Sequence, residues 1–127
     1  MRRLSYKIIV YAMLLILGLI FTGLAVWFYS GQARDFERLK GLKTWQDIMA
    51  GYFSKYNTYQ VVDCNSGMII SQCFPNQTTP LDPISQGNYK YLVGALGESD
   101  YEINFYLERG IGGLKAGGYI WTKNGVK

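Results

Sequence analysis

Histidine is absent from this 127-residue chain, cysteine occurs twice, proline three times, and no acidic residue stands before Asp35. Each shortage excludes something. Without histidine there is no imidazole base for a nucleophile triad. Nor can Cys64 and Cys73, which are not spaced as C-x-x-C, be completed into an ordinary zinc ligand set. No GxSxG and no Gly-Lys-Ser/Thr loop occurs, so nothing in the sequence supports an enzyme or a bound cofactor. None of the prolines precedes Pro75, so nothing in the N-terminal half forbids a continuous helix. The missing acids leave Arg2, Arg3 and Lys7 uncompensated, and these account for much of a mild net charge of +4. That charge is topology information, and no nucleic-acid contact is expected from it.

What is present begins with a membrane-grade apolar run. Residues 8–29 carry no charge, and about 22 residues of helix suffice to cross a hydrocarbon core. Tyr6, Tyr11, Trp27, Phe28 and Tyr29 place aromatics near both ends, where membrane interfaces favour them. The uncompensated cations belong on the cytoplasmic side, so the remainder of the chain is expected outside it, in a periplasmic or extracellular compartment. A cleaved signal peptide is the competing reading, with Gly31-Gln32-Ala33 as a small-x-small site, but the apolar segment is longer than such a core usually is.

Beyond Tyr29 the pattern becomes amphipathic instead of turning into a linker. Phe36, Leu39, Leu42, Trp45, Ile48, Met49, Tyr52, Phe53 and Tyr56 recur at spacings of three and four, which marks an apolar helix-packing stripe. Arg34, Glu37, Arg38, Lys40, Lys43 and Asp47 are assigned to the opposite, solvated side. One helix is expected to run through both parts, in preference to a kink at Ser30-Gly31. The domain reading is therefore a basic tip and transmembrane helix over residues 1–29, an amphipathic continuation over 30–57, and an extracytoplasmic head over 58–127.

In the head the period changes to two. Tyr101, Ile103, Phe105 and Leu107 alternate with Glu102, Asn104, Tyr106 and Glu108, as a half-buried strand requires. Residues 89–93 and 118–122 read as its neighbours, which gives a three-stranded antiparallel meander able to lie on the helix stripe. The expected fold class is α+β, a long N-terminal helix with a transmembrane half and an amphipathic half, packed on a small antiparallel sheet. Between helix and sheet, Asn65-Ser66-Gly67 invites a hairpin. A tight hairpin there would hold Cys64 and Cys73 too far apart to bond. Either the segment curls and the pair forms a disulfide, or the thiols stay reduced; the curled loop is the reading adopted. Residues 75–87 read as a Pro/Ser/Thr/Asn surface loop, in which Asn76-Gln77-Thr78 fits a glycosylation sequon by pattern but reads first as loop residues. Asp82, Glu98, Asp100 and Glu102 lack a regular calcium-ligand spacing and read as solvated loop acids, so no metal site is assigned. The glycine-rich "GIGGLKAGG" separates two strands and does not open a helix, unlike a phosphate loop.

This order of parts resembles the type IV pilin and type II secretion pseudopilin family. The resemblance covers residues 33–126 and rests on "ARDFERLKGLKTWQDIMAGYFSKYNTY", "LDPISQGNYKYLV", "DYEINFYLERGIGGLKAGGY" and "TKNGV". It implies a structural, pilin-like subunit of a type IV pilus, type II secretion or DNA-uptake apparatus. Such a subunit is held in membrane lipid by its N-terminal helix and partnered by other copies or pilin-like subunits and an inner-membrane assembly platform. In the family, a short basic leader ends in Gly and is followed by Phe-Thr-x-x-Glu; residues 2–7 here contain neither the Gly-Phe junction nor the glutamate. The departure implies a minor, tip or non-polymerising member. The alternative is a single-span, membrane-anchored binding module that does not polymerise.

Overall fold

The computed structural model describes Arg2–Lys127, with side chains from Tyr6 onward. The side chains of Arg2 and Arg3, on which the basic-tip reading falls, lie outside the described residues. A single helix, α1, spans Arg2–Tyr56. It passes Ser30 and Gly31 without interruption. It stops where Asn57 enters the left-handed region (φ 54°) and donates its N–H to the Phe53 carbonyl at 2.7 Å, a residue type and bond suited to a helix C-terminus. Contacts divide the chain into two compact units, the first ending at Gly31 and the second running Gln32–Lys127.

The first unit is bare helix. Its large apolar side chains, among them Leu14 (59% exposed) and Val26 (70%), stand exposed. The mean hydropathy of its most apolar window is 2.6, so this helix is long and apolar enough to cross a membrane. Its Thr22 and Ser30 hydroxyls are satisfied within the helix: Thr22 donates to the Gly18 and Leu19 carbonyls and Ser30 to that of Trp27.

The second unit packs its part of α1 on a four-stranded antiparallel meander. The strands are β1 (Leu92–Leu96), β2 (Tyr101–Leu107), β3 (Gly117–Thr122) and β4 (Gly125–Val126), in that order across the sheet. Strand β2 keeps the expected alternation, with Tyr101, Ile103, Phe105 and Leu107 buried. Leu42, Trp45 and Met49 are fully buried, and Leu39, Ile48, Tyr52 and Phe53 pack around them.

Two members of the expected stripe fall outside it: Phe36 is 59% exposed and Tyr56 52%. The buried seam runs Asp35, Arg38, Leu42, Trp45, Met49, which is alternate steps of three and four. At about 100° per residue, Phe36 points roughly 140° away from that seam. Tyr56 faces the right way, but as the last helical residue it lies past the region the core covers.

The strands also differ from expectation at their ends. β1 starts at Leu92, and a register shift between Val93 and Ala95 accommodates Gly94. Tyr89 and Tyr91 lie before it. The turn at Lys123-Asn124 leads into a fourth strand, pairing Thr122 with Gly125 and Trp121 with Val126. Two residues are too few to register as a period, so the sequence pattern predicts a stop there instead of a strand.

The tight hairpin at Asn65-Ser66-Gly67 does not form. The segment curls through a 3₁₀ turn, Ile70–Cys73, and Cys64 bonds to Cys73 with their Cα atoms 5.4 Å apart. Residues 67–70 cover the outer edge of β1. Gly67 N–H donates to the Val93 carbonyl (2.7 Å), Val93 N–H to Met68 (2.8 Å) and Ile70 N–H to Tyr91 (3.0 Å). An edge that would otherwise template pairing with another chain is closed this way. The disulfide limits the loop in the unfolded chain. Replacing both cysteines by alanine is expected to lower unfolding free energy by about 2–3 kcal/mol, measured by urea unfolding of the full chain in detergent. An unchanged midpoint would show that the crosslink does not restrain the loop.

Candidate functional site

The most organised side-chain constellation is a buried charge knot where α1 meets the β2–β3 and residue 80–85 loops. Arg38 is its centre and is fully buried. Its Nε and Nη2 donate to the two oxygens of Asp82, at 2.6 and 3.1 Å. Its Nη1 reaches Asp35 Oδ1 at 2.8 Å and Glu108 Oε1 at 2.7 Å. The Tyr89 ring lies under the guanidinium, 4.7 Å from its carbon to the ring centroid. A planar fork with several donors suits this arrangement, whereas a lysine ammonium would not span it.

Each carboxylate has further donors. Asp35 accepts the N–H groups of Glu108 (2.9 Å), Arg109 (2.8 Å) and Gly110 (2.8 Å). The turn that aims these three donors at one carboxylate needs Gly110 at φ +93°, where a Cβ would meet the backbone of Leu114 and Lys115. Asp82 Oδ1 accepts the Ile84 N–H at 2.9 Å, and the Ser85 hydroxyl returns to the Asp82 carbonyl. This is the local turn chemistry that Asp-Pro sequences favour. Glu108 bridges both arginines, since Arg34 Nε and Nη2 contact its two oxygens at 2.8 and 2.7 Å. Tyr91 completes the seam by donating its hydroxyl to the Arg38 carbonyl at 3.1 Å. Gly41 makes room: a Cβ there would stand 2.9 Å from that hydroxyl oxygen.

The electrostatics follow from these contacts. Burial opposes the charge on Arg38, but its bonds to Asp82, Glu108 and Asp35 outweigh burial and raise its affinity for the proton. Arg34, hydrogen-bonded to Glu108, is likewise raised. The Glu108 carboxyl is pulled from the ordinary 4.5 down to about 2, chiefly by the Arg34 hydrogen bond, with burial opposing and Arg38 assisting. Burial pushes the Tyr91 hydroxyl up, and Tyr101 up to about 12.

A depressed carboxyl stabilises the fold above its unfolded pKa, and that contribution is lost as pH falls through the folded value. Stability is therefore expected to drop by about 2–3 kcal/mol between roughly pH 4.5 and pH 2 through Glu108 alone. Unfolding midpoints compared across that window should slope less steeply in Glu108→Gln than in the parent. Equal slopes would assign the acid sensitivity elsewhere.

Chemically the knot is a clamp. Asp35 and Asp82 have their oxygens engaged by N–H donors, and Arg38 occupies the place between three carboxylates where a cation would otherwise sit. Asp82 is thus not a solvated acid, and it does not gather with Glu98, Asp100 and Glu102, which belong to the β1–β2 hairpin. In the glycine-rich stretch, the Gly110 N–H is directed at Asp35 and not into a phosphate cradle. Sequence pattern gives Asp35 and Glu108 no special weight, reads Asp82 as a solvated loop acid and assigns Arg34 and Arg38 to solvent; Arg38 is instead fully enclosed, as is Asp35. The available signal is positional: Asp35 and Arg38 continue the 42–45–49 seam backward at the same three-four step. The stripe residues Leu42, Trp45 and Met49 meet the sheet beside this clamp, and the Cys64–Cys73 loop covers the β1 edge.

Comparison with family models, curated proteins and solved structures finds no match to this chain.

Proposed function

We propose that the chain is a single-pass membrane protein with a cytoplasmic N-terminus and an extracytoplasmic head. Within that topology we read it as a minor, pilin-like or pseudopilin-like subunit of a type IV pilus, type II secretion or DNA-uptake apparatus. The observation that carries the reading is the division of labour along α1. Its apolar part is exposed, while its amphipathic part is clamped under an antiparallel sheet. Arg2, Arg3 and Lys7, with no acid before Asp35, support the inward N-terminus. The Cys64–Cys73 bond supports an oxidising compartment for the head.

The mechanism is packing. In lipid the bare helix is solvated by acyl chains; in a filament it exchanges them for helices of neighbouring subunits, with small and apolar side chains in contact. Ala33 and Phe36, exposed on the side of α1 away from the sheet, are available to the same neighbours. The clamp keeps the head fixed on the helix while the subunit is extracted from the bilayer. With no glutamate in its apolar helix, the chain suits a minor or tip position better than a repeating shaft position.

Membrane extraction followed by imaging tests this. Co-sedimentation of the chain with sheared surface filaments is the expected result. A dispersed, detergent-soluble monomer under every condition would instead favour the anchored binding module, whose sheet domain recognises a surface ligand without polymerising.

A further inference from the structure

We propose that Asn76 is an N-glycosylation acceptor and that the groove beside it seats the first sugar. The inference rests on the extracytoplasmic placement of the head. Asn76-Gln77-Thr78 has the required hydroxyl two residues after the asparagine and no proline between. The structure adds what the pattern lacks. All three residues are exposed. They lie on and just after a turn closed by the Gln77 N–H to the Phe74 carbonyl at 3.2 Å, with Pro75 and Asn76 as its central pair. No helix or strand spans residues 74–91, so a transferase can draw the acceptor into its own cleft without breaking a backbone ladder. The turn follows Cys73 directly, tying it to the compartment in which disulfides form.

The second observation is the groove, about 400 Å³, which Asn76 itself lines together with Tyr52, Tyr56, Phe74, Asp47 and Gln77. Its volume falls within the range of small-ligand sites. Tyr52 and Tyr56 lie 4.6 Å apart and form the aromatic side of the groove, with the buried Phe74 behind Tyr52 and the Lys55 ammonium 5.1 Å over the Tyr56 ring. The Asp47 carboxylate and the Gln77 amide line the same groove. A pyranose has one apolar C–H face and a rim of hydroxyls, and this combination of aromatic wall and polar groups matches it.

The transfer balances without redox change. The Asn76 Nδ2 attacks the anomeric C1 of a polyprenyl-phosphate-linked saccharide. The C1–N bond forms and the C1–O bond breaks. The phosphate leaves with the electron pair, and one amide proton passes to the transferase's base.

Intact-mass measurement of the full chain from its native membranes tests the site. The expected spectrum exceeds the sequence mass by whole monosaccharide residues and shows the two-hydrogen deficit of the disulfide. The increment should vanish in Asn76→Gln and Thr78→Ala and return in Thr78→Ser. An oxidised chain with no added sugar, or an increment that persists in Asn76→Gln, overturns the site while leaving the topology standing. Reduced thiols and no sugar overturn both. Enzymatic removal of the glycan should lower the melting temperature, and the difference should shrink in Tyr56→Ala. Equal melting with and without glycan overturns the seating.

Discussion

Arg38→Ala is expected to lower unfolding free energy by about 3–5 kcal/mol, because truncating one partner of a buried ion pair leaves the others charged and uncompensated. Here the loss is concentrated. Asp35 and Asp82 are almost wholly buried and Glu108 nearly so, and Arg38 is the common donor to all three. Arg38→Lys should recover only part of the loss, since an ammonium cannot reproduce the two-point contact with Asp82. Urea unfolding of the full chain in detergent, followed by near-UV circular dichroism, measures the change. The effect should be accompanied by protease sensitivity of residues 80–90 and 108–116, the loops that Asp82 and Glu108 tether. A loss under about 1 kcal/mol, the scale of a solvent-screened pair, would mean that water enters the knot, and the clamp would have to be abandoned.

Trp45→Ala should cost a similar amount, about 3–5 kcal/mol, by a different mechanism. Trp45 is fully buried. It packs against Phe74 at a centroid distance of 5.6 Å and donates its indole N–H to the Pro80 carbonyl at 3.1 Å. Its removal gives up the stabilisation from burying the ring and leaves a cavity between helix and loop. Trp45→Phe tells packing from hydrogen bonding: it keeps much of the buried area and loses the bond, so the cost should fall to about 1–2 kcal/mol. If Phe were as damaging as Ala in thermal melts, the bond to Pro80 would outweigh the packing. Trp45 and Arg38 hydrogen-bond to different residues and stand about two helical turns apart on the seam. Both nevertheless hold the same loop, through Asp82 and Pro80, so the double variant should cost less than the sum of the two single ones.

The contrast between these two residues shows how far sequence pattern reaches. Trp45, Leu42 and Met49 are legible because apolar side chains at three-four spacing need a cover, whatever that cover is. The same rule misplaces Phe36. Its hydrophobicity suggests the seam, yet the seam at that level is held by Asp35 and Arg38. The rule assigns charges outward, and it fails when the counter-charges arrive from elsewhere in the chain. Asp82 and Glu108 reach Arg38 across 44 and 70 residues of sequence, and the N–H groups around Asp35 come from 73 to 75 residues away. Local periodicity contains no information at that range. At Asn65-Ser66-Gly67 the local turn signal favours a hairpin, while the cysteine pair favours a curled loop; the loop is what forms, with Cys64 bonded to Cys73 and residues 67–70 paired with β1, a pairing that no local signal indicates.

What the amino-acid order determined unaided is the uncharged run, the single helix without proline, the apolar seam of its outer half and the alternating strand β2. All are short-range properties, set by side-chain hydrophobicity and backbone period. Only the tertiary structure decided which helix face the sheet covers around Asp35 and Arg38, that a fourth strand forms, that the cysteines meet, and that Arg38 is buried. Those outcomes depend on whether distant donors and acceptors arrive together, since a buried charge is tolerated only when every partner is in place.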